Sequence, residues 1–227
     1  EKDRQHPSKR YRPLASGALS PRLAVIASVV MGLGCLVVGF WIDPVFASIL
    51  AGYLVLQLAY SFRLKRIVLL DVMAIAAGFV LRVAAGVPLV AAERFSPWLY
   101  ICTTLLALFL GLSKRRGELV LLADEAHYHR STLKSYTLSF LDQLISVVTS
   151  STGLAYALYT FSAPNLPDNH AMMLTIPFVI YGVFRYLFLI HVRHCTIPPD
   201  EVLLTDRPSQ INLGLWGLIA VVILYIG

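Results

Sequence analysis

Seven segments of the chain are long and apolar enough to cross a membrane as helices. Hydrophobic residues make up 57% of the sequence and charged residues only 14%, a balance that excludes an ordinary water-soluble domain. Lipid offers the backbone no hydrogen-bond partner, so apolar segments of about 20 residues must be helical. The sequence therefore predicts an all-α, polytopic membrane bundle. The predicted spans are 22–41, 45–62, 67–90, 97–113, 137–162, 171–191 and 210–227.

The basic residues are concentrated in alternate connections between these spans. Of the 19 lysines and arginines, 16 lie in residues 1–22, 63–66, 114–136 and 192–209. Positively charged connections favour the cytoplasmic side of a membrane, which predicts a cytoplasmic location for all four. Topology alone accounts for about half of this excess. Because the same connections hold most of the acidic residues and histidines, we expect the chemistry of the protein on that face.

In the stretch 60–86, the apolar part that follows Arg66 carries two charged residues, Asp71 and Arg82. Asp71 and Arg82 are eleven residues apart, so a helix places them on one face about 16 Å from each other along its axis. A charge at that depth costs several kcal/mol unless it faces a partner or a polar cavity. We therefore expect a polar cavity open to the cytoplasm. The alternatives are that Asp71 caps a helix or pairs with Lys65 or Arg66, and that Arg82 pairs with a buried acid.

The segment GLSKRRGEL, residues 111–119, continues the fourth span with charged residues. On a helix, Lys114 and Glu118 are four positions apart and Arg115 and Glu118 are three apart, so each pair can form a salt bridge. Such pairs contribute only tenths of a kcal/mol, and a solvated helix end is the alternative to a functional site.

Three further charged groups each allow a structural interpretation. The cation-rich residues 1–21 either anchor the chain to lipid headgroups or fold over a polyanion. Asp206, beside Arg207, either serves the site or links its loop to neighbouring segments. Asp142 and Arg185 lie inside or at the edges of spans and can be partners of each other.

The order of these motifs resembles the UbiA superfamily of intramembrane prenyltransferases. Residues 3–19, DRQHPSKRYRPLASGAL, are similar to the continuation of the first aspartate motif in that family. The remaining matches are Tyr60, Lys65, Asp71, Arg82 and Gly86, then Lys114, Arg115 and Glu118, then Lys134 and Tyr136, and finally Asp206 and Arg207. The resemblance covers essentially the whole chain. It is strongest to the branch of decaprenyl-phosphate phosphoribosyltransferases.

This resemblance implies a nine-helix fold around a cytoplasm-facing cavity. We expect about seven of the nine helices in this chain, as one domain over residues 1–227. The first two helices and the two earlier aspartates of the first motif would then lie upstream of Glu1. The implied location is the bacterial inner membrane. The implied partners are the surrounding lipids and no nucleic acid. An oligomer is compatible with the sequence.

The implied activity is transfer of 5-phosphoribose from phosphoribosyl diphosphate to a long-chain polyprenyl phosphate. Aromatic prenyltransferases of the superfamily carry a second aspartate-rich motif where this chain has KRRGEL, which favours the phosphoribosyl branch. A UbiA-type aromatic prenyltransferase that uses a polyprenyl diphosphate is the alternative. A non-catalytic scaffold or a transporter is a third possibility, from a different class.

The resemblance also implies which residues form the site. Asp3 would hold Mg²⁺ on the diphosphate. The residues expected to take part in catalysis are Asp3, Lys65, Asp71, Lys114 and Glu118. The residues expected to bind substrate or phosphate are Lys9, Arg10, Tyr60, Arg82, Arg115, Lys134, Tyr136, Asp206 and Arg207.

Overall fold

The computed structural model of the protein is helical in the part of the chain that it describes. That part comprises residues 11, 13–14, 16–89, 97–122, 131–163, 166–167 and 169–226, with only the backbone at Leu99, Leu122, Ser131, Lys134 and Ile226. These ranges contain α-helices and short 3₁₀ turns but no strand. The predicted all-α class is therefore confirmed.

The helices follow one another with short connections. The α-helices in the described ranges are α1 (Pro21–Ile42), α2 (Pro44–Phe62), α3 (Leu70–Gly86), α4 (Pro97–Leu122), α5 (Leu138–Ser162), α6 (Ile176–His191), α7 (Pro199–Thr205) and α8 (Arg207–Ile226). The 3₁₀ turns are Leu64–Arg66, Val87–Leu89, Ser131–Ser135 and Ala171–Thr175.

Six of the described helical segments are long and apolar enough to cross a membrane, judged by length and composition. They are Pro21–Ile42, Pro44–Arg66, Leu70–Leu89, Leu138–Ser162, Ala171–His191 and Arg207–Tyr225. Six of the seven predicted spans are thus confirmed to within a few residues. The seventh, 97–113, lies within α4, which is not among the six and continues to Leu122 through the charged residues 114–118.

Local sequence explains where the first two helices begin. The Ser20 hydroxyl accepts a hydrogen bond from the Leu23 amide at 3.3 Å, and Pro21 occupies the first helical position of α1. At the other end, the Asp43 carboxylate accepts a hydrogen bond from the Phe46 amide at 2.8 Å in the first turn of α2. Side-chain caps and proline at the first position are both typical of helix starts.

The chain divides into two compact units. The first comprises residues 1–59 and 81–93, and the second comprises residues 60–80 and 94–227. In the first unit, Gly39 of α1 lies against the ring of Phe46 on α2. The prediction of one domain over the whole chain stays a prediction.

The second unit has a hydrophobic core built from α3, α4, α5, α6 and α7. Its buried members are Val72, Leu112, Tyr136, Leu141, Ile145, Val148, Tyr186, Ile190 and Val202. The longest packing interface in this unit joins α4 to α5. The core therefore lies directly beside the charged residues at the end of α4, and it fixes where their backbones can be.

Two glycines allow close approach along α4. A Cβ at Gly111 would lie 2.7 Å from Cγ1 of Val72, and a Cβ at Gly117 would lie 2.4 Å from the backbone oxygen of Thr196. Both distances are shorter than real Cβ contacts, so these positions require glycine unless the neighbour moves. At Gly117 the neighbour is backbone, which cannot move as a side chain can.

Candidate active site

A buried carboxylate lies at the start of α3. Asp71 is 0% exposed. Its Oδ2 accepts a hydrogen bond from Nε of Arg115 at 2.9 Å, and its Oδ1 accepts one from the Tyr136 hydroxyl at 2.8 Å. A buried charge needs partners of this kind because it has lost its hydration. Of the alternatives for Asp71, a pair with Lys65 or Arg66 is thus wrong, and the partners come from distant segments.

Arg115 connects that carboxylate to a second one. Its NH1 donates to Oε2 of Glu118 at 2.7 Å, which confirms the salt bridge expected from their spacing of three. Burial opposes the charge on Arg115, but Glu118 and Asp71 outweigh it and raise the pKa of the guanidinium. Two of the five N–H donors of Arg115 are thus bound by acids, which fixes the orientation of its guanidinium.

Tyr136 is the second hydrogen-bond partner of the Asp71 carboxylate. Its hydroxyl donates to Asp71 and accepts a hydrogen bond from the Leu69 amide at 2.8 Å. Burial, with the hydrogen bond to Asp71, raises the pKa of Tyr136 to about 12 against the opposing effect of the Leu69 amide, so the hydroxyl stays protonated as a donor. We call Leu69, Asp71, Arg115, Glu118 and Tyr136 the Asp71 network.

Three predicted cations lie outside any such network. Lys65 is half-buried in the turn Leu64–Arg66, Lys114 is exposed on α4, and Arg207 is exposed at the first position of α8. Within the described part of the chain, none of the three forms a hydrogen bond or an ion pair. Their charges are therefore available to an anion.

A second ion pair joins α4 to α5. Nε of Arg116 donates to Oδ1 of Asp142 at 2.6 Å, and Nδ1 of His191 lies 4.0 Å from Oδ2 of the same carboxylate. In the sequence, Arg116 is only one member of the basic excess. The signal for its role is Asp142, since an acid near the start of an apolar helix needs a cation, and Arg116 is only 9% exposed.

A third pair joins α6 to the start of α8. Arg185 donates to Oδ2 of Asp206 at 3.1 Å through Nε and to Oδ1 at 2.7 Å through NH2. The Ser209 amide and hydroxyl also donate to Asp206. The suggested pair of Asp142 with Arg185 is thus wrong, because each has another partner. Arg185, together with Ser209, holds the pKa of Asp206 well below its usual range.

Arg82 belongs to the first compact unit. Its Nε and NH2 donate to the Tyr53 hydroxyl at 3.2 and 2.8 Å, and its guanidinium carbon lies 5.2 Å from the centre of the Tyr53 ring. Arg82 is exposed and Tyr53 is half-buried. Among the described residues, the partner of Arg82 is thus Tyr53, and its pairing with a buried acid stays a prediction.

Several predicted site residues lie where the structure gives no side-chain description. Asp3, Lys9 and Arg10 are outside the described residues, and Lys134 is described by its backbone alone. Tyr60 is described, half-buried near the end of α2.

The described residues do not assemble a metal site. No group of three histidine, cysteine or acidic side chains lies together among them. Both oxygens of Asp71 are hydrogen-bonded, whereas Glu118 is 31% exposed at its side chain and engages only Oε2 in its salt bridge. A Mg²⁺ ion would therefore depend on residues beyond these, and the predicted ligand Asp3 is one such residue.

The fold and these groups together define a class of protein. Six apolar helices mark an integral membrane protein. In its second unit, three ion-pair groups join α3 to α4, α4 to α5, and α6 to the start of α8. This is a polytopic membrane protein whose second unit carries ion pairs between its helices.

Comparison with known proteins identifies the family. The family model of the UbiA prenyltransferase family matches residues 1–196. The chain belongs to this family, and it is an integral membrane protein of the transferase type.

Relatives with a named activity align with almost the whole chain. The chain is 31% identical over 226 residues to a decaprenyl-phosphate phosphoribosyltransferase of Mycolicibacterium smegmatis. This alignment covers 95% of the chain and 70% of that protein. The protein of the same name from Mycobacterium tuberculosis is 29% identical over 221 residues, with the same two coverages. That of Corynebacterium glutamicum is 29% identical over 233 residues, covering 100% of this chain and 69% of the relative.

Proposed function

We propose that this protein transfers 5-phosphoribose from phosphoribosyl diphosphate to a long-chain polyprenyl phosphate and releases diphosphate. The names of the aligned relatives support this choice of substrates. The sequence KRRGEL at 114–119 supports it as well, because aromatic prenyltransferases of the superfamily resemble one another in having a second aspartate-rich motif there.

In the proposed reaction, an oxygen of the lipid phosphate attacks the anomeric carbon of the donor. The bond from that carbon to the diphosphate oxygen breaks, and the electron pair leaves with diphosphate. Both reactants are anions, so the protein must overcome their repulsion and neutralise the leaving group. Positioned cations do both, and this electrostatic stabilisation is usually the largest catalytic contribution.

The observation that carries the proposal is the division of the cations into two sets. Arg115, Arg116 and Arg185 are bound by acids within the second unit. Lys65 and Lys114 have no such partner among the described residues. We assign the phosphate contacts first to these two lysines, and then to Arg207, which is also unpaired there.

The other site residues take supporting roles in this proposal. Asp71 and Glu118 hold Arg115, and Arg185 holds Asp206, so these groups keep the helix ends together. Lys9, Arg10, Tyr60, Arg82 and Lys134 are proposed as further contacts to substrate.

Mg²⁺ is proposed as the cofactor, held on the diphosphate by Asp3. Bound there, it would supply additional positive charge for the leaving group. We also propose that the charged connections face the cytoplasm of a bacterial inner membrane, in accord with the positive-inside rule. Removal of divalent cations with a chelator, followed by addition of Mg²⁺, tests the cofactor proposal.

A labelled-substrate experiment tests the reaction. Membranes that contain the full-length protein receive radiolabelled phosphoribosyl diphosphate and polyprenyl phosphate, and the lipid extract is analysed for an acid-labile labelled product. The same membranes receive labelled polyprenyl diphosphate and an aromatic acceptor in parallel. Labelled phosphoribosyl lipid is the expected result. Product only in the second assay would replace this proposal with the aromatic prenyltransferase alternative.

A further inference from the structure

We propose that Tyr136 is a positioning residue that acts through Lys65. Its hydroxyl ties the connection 63–69, which contains Lys65, to the buried Asp71 network. This inference rests on the proposed function for its catalytic consequence. The tie itself is a structural relationship that can be measured separately.

The burial of Tyr136 argues for an indirect role. Tyr136 is only 4% exposed, and its hydroxyl already donates to Asp71 and accepts from the Leu69 amide, both at 2.8 Å. Such a side chain presents little surface to a phosphate. What it can do is hold two backbone segments together.

The backbone at Leu69 shows why a tie is needed. Leu69 has a φ of 67°, in the left-handed region that residues other than glycine, asparagine and aspartate seldom adopt. The conformation is unfavourable for leucine on its own, so surrounding contacts must maintain it. The hydrogen bond from the Leu69 amide to Tyr136 is a contact that does so directly.

The same connection determines the position of Lys65. Lys65 lies four residues before Leu69, in the turn Leu64–Arg66, which packs against the turn Ser131–Ser135 that leads to Tyr136. The hydrogen bond from the Leu69 amide to Tyr136 thus joins the backbone shortly after the first turn to the residue directly after the second. If the hydroxyl is removed, the Leu69 amide loses its acceptor, and the backbone that carries Lys65 is free to change conformation.

A small displacement of Lys65 would have a large effect on the proposed reaction. Catalysis by positioned charge depends on distances of a few ångströms, and a shift of about 1 Å can lower a rate on the order of 100-fold. A phosphate-binding lysine on a loosened turn would therefore contribute less to the rate, although its own side chain is unchanged.

The first test compares two tyrosine-to-phenylalanine variants in the full-length protein. Y136F removes the tie. Y156F is the matched control, since the Tyr156 hydroxyl is also hydrogen-bonded within the second unit, to Thr175 and Trp216, but lies outside the Asp71 network. We expect Y136F to lower kcat for phosphoribosyl transfer about 10-fold or more, and Y156F to remain within about twofold of the wild type.

The second test asks whether Tyr136 acts through Lys65. If it does, adding Y136F to K65A should change the rate by less than about twofold, because the group that Tyr136 positions is already absent. If the rate losses of K65A and Y136F instead multiply in the double variant, the proposal is overturned. Wild-type kcat in Y136F would overturn it as well.

Hydrogen–deuterium exchange supplies a readout that does not depend on the reaction. We expect faster exchange in peptides covering residues 63–72 of Y136F, and no change there in Y156F. Unchanged exchange in Y136F would refute the tie. If Y136F does not accumulate in membranes, exchange is measured in the wild-type protein instead. A Leu69 amide that exchanges there as fast as in an unfolded chain would also refute the tie.

The two proposals fail in different ways. A wild-type protein that makes no phosphoribosyl lipid overturns the proposed function and the part of Tyr136 in that reaction. The exchange measurement still reports whether Tyr136 holds the connection 63–69.

Discussion

Arg115 and Asp71, which are 44 positions apart in the sequence, form a hydrogen-bonded ion pair whose side chains are 3% and 0% exposed. The pair joins α4 to the start of α3 inside the second unit. Removal of one partner from a buried pair leaves the other charge without compensation. The stability of this unit should therefore depend strongly on both residues.

We expect D71A to destabilise the protein by about 3 kcal/mol, because it leaves the buried Arg115 with Glu118 alone and the Tyr136 hydroxyl without its acceptor. Denaturant titration in detergent micelles measures the loss. E201A is the control, since Glu201 is exposed on α7 and its replacement should change stability by no more than about 0.5 kcal/mol. Equal stability of D71A and E201A would contradict the importance of the pair.

Replacement of Lys65 should affect activity far more than stability. Lys65 has no bonding partner in the described part of the chain, so K65A removes a charge that the fold does not use. We expect the transfer rate to fall at least about tenfold, equivalent to ~1.4 kcal/mol of transition-state stabilisation. R66A is the matched control, because Arg66 is an exposed cation in the same turn. Similar rates in K65A and R66A would exclude a specific role for Lys65.

Gly117 should be intolerant of a side chain. An alanine Cβ would lie 2.4 Å from the Thr196 carbonyl oxygen, so α4 or the backbone at Thr196 must shift. We expect G117A to lower the free energy of unfolding by about 1–3 kcal/mol, as overpacking does elsewhere. In G153A the new Cβ meets nothing within 4 Å, and the change should be neutral or stabilising by up to about 1 kcal/mol. Thermal unfolding of the two variants in one detergent provides the comparison.

The pair of Arg185 and Asp206 should make stability depend on pH on the acidic side. Because Arg185 and Ser209 lower the pKa of Asp206 from its usual 3.8, the folded state binds the proton less tightly than the unfolded state. The resulting stabilisation is present above about pH 4 and is lost as the pH falls through the lowered pKa. We expect the difference in Tm between the wild type and D206N to shrink below pH 4. A difference independent of pH between 3 and 7 would refute this.

Helix positions could be predicted because they depend on local chemistry. The spans around α1, α2 and α3 follow from apolar length, since lipid leaves the backbone no other hydrogen-bond partners. The salt bridge between Arg115 and Glu118 likewise follows from a spacing of three on a helix. The continuation of the fourth span as a helix through residues 111–119 was also predicted, and α4 extends to Leu122.

The partners of the charged residues could not be predicted in the same way. A pair of Asp71 with Lys65 or Arg66 was one alternative from the sequence, yet its partners are Arg115 and Tyr136. The sequence shows that a buried acid needs a cation, but several cations lie within reach of any plausible arrangement. Which one approaches depends on how the helices pack.

The sequence by itself determined that this protein is a helical membrane protein with charged connections, and its motifs resemble those of the family to which it belongs. Only the tertiary structure decided that Arg116 binds Asp142, that Arg185 binds Asp206, and that Lys65 is left without a described partner. The physical reason is the range of the interactions. Helix formation is set by neighbouring residues, whereas the choice of a charge partner is made by the packing of helices that are distant in the chain.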